Sequence, residues 1–282
     1  MEIIDAPADP LIPGADRLLD IPGVRNLRDA GGFATAADDR DPDDRGSGGR
    51  VRTGLLFRSA SLCDLTPGGA ERLAALGLRT VIDLRSEPEI RHWPNQRHGL
   101  DHTEVLLPTL PPFEDTSGNP DSAAAAAADA EDAGDQGGSV RAGLQGMYAF
   151  MADVAGGPIA ACARQLQEPG ALPALVHCAV GKDRTGVTVA VLLSALGVDD
   201  ADITADYLLS NHGLGFADGP IFYVDEHGVE RESRPVSTEL LMLFLDRIRG
   251  RHGSTEAFLL DHGLTSGELG RLRALLVEVE PA

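Results

Sequence analysis

The chain has 282 residues, 43% of them apolar and 24% charged, which is ample for a sizeable core in one or two domains. Its 24 Lys and Arg face 44 Asp and Glu, a net charge of −20, which argues against nucleic acid as a partner and against polybasic attachment to a membrane. No apolar run approaches the roughly 18 residues of a membrane span, so integral membrane association is not expected.

Met1-Glu2-Ile3-Ile4-Asp5 has neither a basic nor an apolar signal region, and three cysteines (Cys63, Cys162, Cys178) are too few for a disulfide framework. A cytoplasmic location is expected. Residues 34–49 carry five aspartates against Arg40 and Arg45 and end in Gly46-Ser47-Gly48-Gly49, which reads as a solvated acidic insertion. Gly54 to Arg58 reads as a short strand. Thr66-Pro67 opens a helix that ends before Gly77, with Thr66 as its cap. Arg79 to Leu84 has a buried-strand pattern, and His102 to Leu107 is a further strand candidate.

Residues 114–135 hold seven acids, no base and the alanine run 123–128, a second acidic insertion. Together the two insertions carry half of the net charge. The stretch 108–150 is also a candidate lid. Ser139 to Leu166 contains one or two helices, Ala174 to His177 a strand, and Gly186 to Leu196 an apolar helix closed by Gly197. The C-terminal third reads as helical. Asp199 caps 200–210, Ser237 caps 238–249, Ser254 caps 255–262, and the Thr265-x-x-Glu268 capping box opens a last helix to about 279. Strands interleaved with helices predict one α/β domain over 1–282, with a central sheet flanked by helices and the helical tail over one face.

Chemistry concentrates in residues 176–186, Val-His-Cys-Ala-Val-Gly-Lys-Asp-Arg-Thr-Gly, between a strand and a helix. Loop amides and a helix N-terminus converge there to hold an anion. Cys178 in that field is favoured as the nucleophilic thiolate. Arg184 has the planar fork for two phosphoryl oxygens. Thr185 is placed to hydrogen-bond the sulfur, and Gly181 and Gly186 let the backbone wrap closely. Ala179, Val180, Gly181, Lys182, Thr185 and Gly186 are the candidate phosphate-binding positions. Lys182 is the only lysine among the 24 basic residues.

This segment resembles the signature of cysteine-dependent tyrosine and dual-specificity phosphatases. With Lys182-Asp183 before the arginine, it resembles more particularly the bacterial family that includes the secreted mycobacterial tyrosine phosphatase B. Asn26-Leu27-Arg28-Asp29-Ala30-Gly31-Gly32 is similar to that family's Asn-Phe-Arg-Asp-Leu-Gly-Gly motif, with Leu27 for Phe and Ala30 for Leu. Val81-Ile82-Asp83-Leu84-Arg85-Ser86-x-x-Glu89 is similar to its central strand motif, and Phe57-Arg58-Ser59 and the tail from Gly253 to Leu276 extend the likeness. The resemblance implies a phosphatase fold and a metal-free, cofactor-free hydrolase. Cys178 attacks phosphorus, and Arg184 with the loop amides stabilises the phosphoryl oxygens. It also implies an acid within the loop, Asp183, with Asp83 at the end of the preceding strand as its rival. His177 would orient the loop. Arg28 and Asp29 either buttress it or form an ordinary ion pair.

Loop lysines similar to Lys182 meet a second phosphate in inositol-lipid phosphatases, which raises phosphoinositide activity; the charge of −20 counts against it. A phosphotyrosine or phosphoserine/threonine protein is the preferred substrate. A rhodanese-like sulfurtransferase, an arsenate reductase and a non-catalytic pseudophosphatase are the rivals. Cys162 reads as core. Cys63 reads as core in preference to a protective disulfide partner of Cys178. The remaining histidines lack ligand spacing, and the acidic stretches lack the calcium-loop pattern, so no metal is expected.

Overall fold

The computed structural model describes residues 14–36, 48–110, 136–224 and 229–279. Its central sheet contains β1 (Arg28–Asp29), β4 (Leu56–Ser59), β5 (Thr80–Asp83), β6 (Thr103–Leu106) and β7 (Ala174–His177), in the order β1-β4-β7-β5-β6. Only the short β1 runs antiparallel to its neighbour, and the other three pairings are parallel. Strands β4, β5 and β7 are buried along their whole length. That burial explains their near-continuous apolar runs, because helices cover both faces of a parallel sheet.

Alternate strand residues feed two cores. Leu56, Ile82 and Val176 point into the larger one. It is closed by α3 (Gln136–Val154), α4 (Gly156–Gln165), α5 (Arg184–Ala195), α6 (Asp200–Gly213), α7 (Thr238–His252), α8 (Thr255–Asp261) and α9 (Ser266–Leu276). Phe57, Val81 and Leu175 point the other way, onto Ile21, Val24, Leu27 and α1 (Pro67–Ala74). The caps at Thr66, Asp199 and Ser254 form, and Thr265 and Glu268 make a full capping box. Ser237 sits at the N-cap of α7, but its side chain makes no cap hydrogen bond.

Three local features differ from the pattern in the sequence. The last helix stops at Leu276, because Val277–Val279 (β10) pairs antiparallel with β3 (Gly49–Val51), which in turn pairs with β2 (Ala34–Thr35). Both ends of the first acidic segment are therefore paired strands; residues 37–47 and the whole of 114–135 lie outside the described residues. The C-terminal third is also interrupted by a hairpin, β8 (Ile221–Val224) with β9 (Glu230–Ser233). The run Ile221-Phe222-Tyr223-Val224 carries the β-branched and aromatic signal for it. Finally, Ser86 and Glu89 form a capping box on a short helix, α2 (Glu87–His92), which carries one of the site's carboxylates. Replacing the fully buried Phe244 of α7 by Ala should cost about 3–5 kcal/mol of stability, measurable as a lowered urea midpoint with unchanged slope.

Candidate active site

Strand β7 ends at His177 and α5 begins at Arg184, so residues 178–183 form the connecting loop. Gly181 turns it with φ +76°, and a Cβ there would lie 2.2 Å from the Ser59 carbonyl oxygen, so only glycine fits. The Gly181 N–H donates to the Cys178 sulfur at 3.3 Å, and Cys178 is only 3% exposed. The Gly181 carbonyl is drawn outward, accepting from Asn26 Nδ2 at 2.9 Å and Arg58 Nη2 at 3.1 Å. In a planar trans peptide the following N–H, on Lys182, therefore points the opposite way.

Behind Asn26 lies a buried ion network. Arg28 donates to Asn26 Oδ1 at 2.5 Å, to Asp206 Oδ1 at 3.0 Å and to the Asp206 carbonyl at 2.7 Å. Arg58 donates to Asp206 Oδ2 at 2.6 Å. Asp206 is 2% exposed. Burial opposes its charge, but Arg28, Arg58 and Arg17 hold its carboxyl well below the usual carboxylate range. Burial and the like charge of Arg58 lower the Arg28 guanidinium to about 10. Of the two alternatives for Arg28 and Asp29, Arg28 takes the buttressing one, through Asn26. Asp29 does neither: its carboxylate accepts the Gly31 and Gly54 amides at 2.7 and 2.5 Å and pins the turn after β1.

Arg184 is held from the other side. Its two Nη atoms donate in parallel to the Glu89 carboxylate, each at 2.7 Å. Glu89 Oε2 also accepts the Ser86 N–H and hydroxyl, at 2.8 and 3.0 Å. Burial disfavours both charges; the paired hydrogen bonds outweigh it, lowering the Glu89 carboxyl and raising the Arg184 guanidinium, to which the adjacent Cys178 also contributes. The Nε–H and outer Nη–H groups of Arg184 remain for an anion.

The two candidate acids sit in opposite circumstances. Asp83 accepts Arg85 Nε at 2.9 Å, Arg85 Nη2 at 2.6 Å and the Arg85 N–H at 3.0 Å. Burial works against its charge, and His177 and Arg85 outweigh it, so its carboxyl stays below the usual range. Burial lowers His177, against the opposing pull of Asp83. Its Nδ1–H then donates to the Cys178 carbonyl at 3.0 Å, while Nε2 accepts from Asn95 Nδ2 at 3.2 Å. Asp83 thus anchors the frame under the loop. Asp183, at the N-cap of α5, accepts the Tyr148 hydroxyl on Oδ1 and the Lys182 ammonium on Oδ2, both at 2.6 Å. Lys182 is 3% exposed. Thr185 does not bond the sulfur: its hydroxyl is buried without a hydrogen-bond partner among the described residues.

A cavity of about 220 Å³ opens beside the loop, lined by Ala179, Val180, Arg25, Glu89, Trp93 and the Phe222–Tyr223 pair of the hairpin. Trp93 and Phe222 are 42% and 47% exposed at its rim. Cys63 lines this cavity too, instead of packing in the core, with its sulfur 3.0 Å from the Ser61 hydroxyl; all three cysteines are free. Cys162 is a core residue, its thiol pushed up to about 12 by burial. Among the described residues no cluster suits a metal ion, and no helix is long and apolar enough to cross a membrane. Asn26, Arg58, Asp206, Tyr148 and Tyr207 had no role assigned from sequence. Asn26, Arg58 and Glu89 stand within recognisable motifs, whereas Asp206 and the tyrosines carry no local signal.

A cysteine whose sulfur faces a loop amide, with an arginine at the following helix N-terminus, is the arrangement of a cysteine-dependent phosphatase site. A family model described as the tyrosine phosphatase family matches residues 19–278, so the chain belongs to that family and is a cysteine-dependent protein-tyrosine phosphatase. Among solved structures it is similar to TpbA of P. aeruginosa, at 16% identity and a TM-score of 0.36 over 82% of this chain and 96% of that one. A Cys-to-Ser form of TpbA in complex with pTyr matches at the same identity and TM-score, over 82% and 98%. No curated protein matches the sequence.

Asp206 supplies a test of the network. Its folded carboxyl is lowered, so its contribution to stability is complete above the unfolded value near 3.9 and is lost as pH falls below it. Asp206→Asn should be destabilised by about 3–5 kcal/mol at pH 7, with a flatter stability curve than the wild type between about pH 5 and 2, followed by chemical denaturation.

Proposed function

We propose that this phosphatase hydrolyses phosphotyrosine in proteins through a cysteinyl-phosphate intermediate, in the cytoplasm. The observation that carries the mechanism is the Cys178 sulfur facing the Gly181 N–H, with the Glu89-clamped Arg184 acting on the same anion. The Cys178 thiolate attacks phosphorus, and the bond from phosphorus to the tyrosyl oxygen breaks as Asp183 gives that oxygen its proton. Loop amides and Arg184 take up charge on the three remaining oxygens. A water then attacks phosphorus and gives a proton to the Asp183 carboxylate. The P–S bond breaks, releasing phosphate and the thiolate.

Asp183 is the preferred acid. The rival Asp83 has both oxygens gripped by Arg85, which leaves neither free to reach a leaving oxygen. The substrate preference rests on the cavity rim. Trp93, Phe222 and Tyr223 offer aromatic surface for a phenyl ring, which a phosphoserine or phosphothreonine does not present. A phosphoinositide fits less well, because Asp64 and Glu230 line the same cavity and oppose further phosphates.

Phosphate release in EDTA from a phosphotyrosine peptide, a phosphothreonine peptide and a soluble phosphoinositide is the direct test. Turnover of the first alone is expected; comparable turnover of the inositol lipid would assign Lys182 to a second phosphate. Cys178→Ser should abolish release while still binding phosphopeptide, and full activity in that variant would sink the covalent mechanism. Asp183→Asn should cost about 10²–10⁴-fold on the tyrosine leaving group and much less on a leaving group of low basicity. For Asp83→Asn the loss should be similar on both. The reverse pattern would exchange the two roles.

A further inference from the structure

Both oxygens of Asp183 are engaged, by residues of unequal permanence. Oδ2 holds Lys182, a flexible side chain on the neighbouring residue. Oδ1 holds Tyr148, whose ring is fully buried in the core under α3. The Tyr148 hydroxyl also meets the Tyr207 hydroxyl of α6. Tyr148 has one proton and directs it to the carboxylate, so Tyr207 is the donor in the bond between the tyrosines. Burial first, and then the charge of Asp183, raise the phenol of Tyr148 well above its ordinary value. It therefore stays a donor through the neutral range. The Tyr207 ring is fixed in turn, packed so closely on Gly186 that a Cβ there would lie 2.8 Å from it.

A carboxylic acid that protonates a leaving group needs one oxygen to carry the proton and the other held so that the group cannot rotate away. We propose that Tyr148, backed by Tyr207, is the positioning residue of this reaction: its hydroxyl anchors Oδ1 of Asp183, so that Oδ2 carries the proton transferred to the leaving oxygen. Lys182 occupies Oδ2 here, and an incoming phosphoryl dianion offers its ammonium a stronger partner, which frees that oxygen. This proposal rests on Asp183 being the acid, and it assigns the Tyr–Tyr pair a role that neither the loop motif nor the nucleophile requires.

Tyr148→Phe removes one oxygen and keeps the packed ring. On a phosphotyrosine peptide its kcat/KM should fall about tenfold, the scale of one lost hydrogen bond to a charged group. On 4-nitrophenyl phosphate, whose leaving group is much less basic, the loss should stay within about twofold. Adding Tyr148→Phe to Asp183→Asn should cause no further loss, because both act through one carboxyl. Equal losses on the two substrates, or losses that add in the double variant, would overturn the proposal and leave Tyr148 a structural residue. Thermal melts check that the variant folds; if it does not, Tyr207→Phe carries the same comparison with an expected loss of about threefold on the peptide, and an equal loss on both substrates overturns it. If Asp183→Asn itself spares the peptide, the acid has been misassigned and the proposal falls with it. That result is distinct from one in which Asp183→Asn is impaired and Tyr148→Phe is not.

Discussion

The site depends on one buried carboxylate. Asp206 lies between Arg28 and Arg58, and these two arginines connect α6 to β1 and β4 at the point where Asn26 and Arg58 grip the Gly181 carbonyl. Buried ion pairs add little net stability against a well-packed apolar alternative, yet removing one partner is costly because it strands the other charge. The network is best understood as orientation. With both guanidinium planes locked, the carbonyl of Gly181 has one direction available and the loop amides keep theirs.

The same device recurs around the loop. Glu89 fixes the plane of Arg184, and Asp83 with Arg85 frames the His177 that holds the Cys178 carbonyl. The arginines at the loop are aimed by buried carboxylates, Arg58 sharing Asp206 with Arg28 and Arg184 taking Glu89. A phosphoryl group therefore meets a cradle that needs little rearrangement, the condition under which oriented dipoles are most effective. Asp183 differs in being held by the neighbouring Lys182 ammonium on one oxygen and the core Tyr148 hydroxyl on the other. This arrangement distinguishes Asp183 from the carboxylates gripped by arginines.

The net charge of −20 has little to do with this machinery. Half of it falls in the two acidic segments, and the carboxylates that matter are buried against arginines. The surface balance was silent about the site. The hairpin β8–β9 adds the aromatic rim, and its residues are remote in sequence from the loop they border.

What the sequence determined by itself is what lies within a few residues along the chain. The strand–loop–helix around Cys178 and Arg184, the family, the parallel core strands and most helix caps were legible because each depends on local spacing and pattern. Even there, Ser86-x-x-Glu89 was visible only as part of the central strand motif, and neither its capping box nor its use was. Tertiary structure alone decided which acid aims an arginine and which pins a turn. Glu89 meets Arg184 across 95 residues, Arg28 meets Asp206 across 178, and Tyr148 meets Asp183 across 35. Linear spacing carries no record of such pairings, and a carboxylate's behaviour is set by its burial and its partner, both of which exist only once the chain has folded.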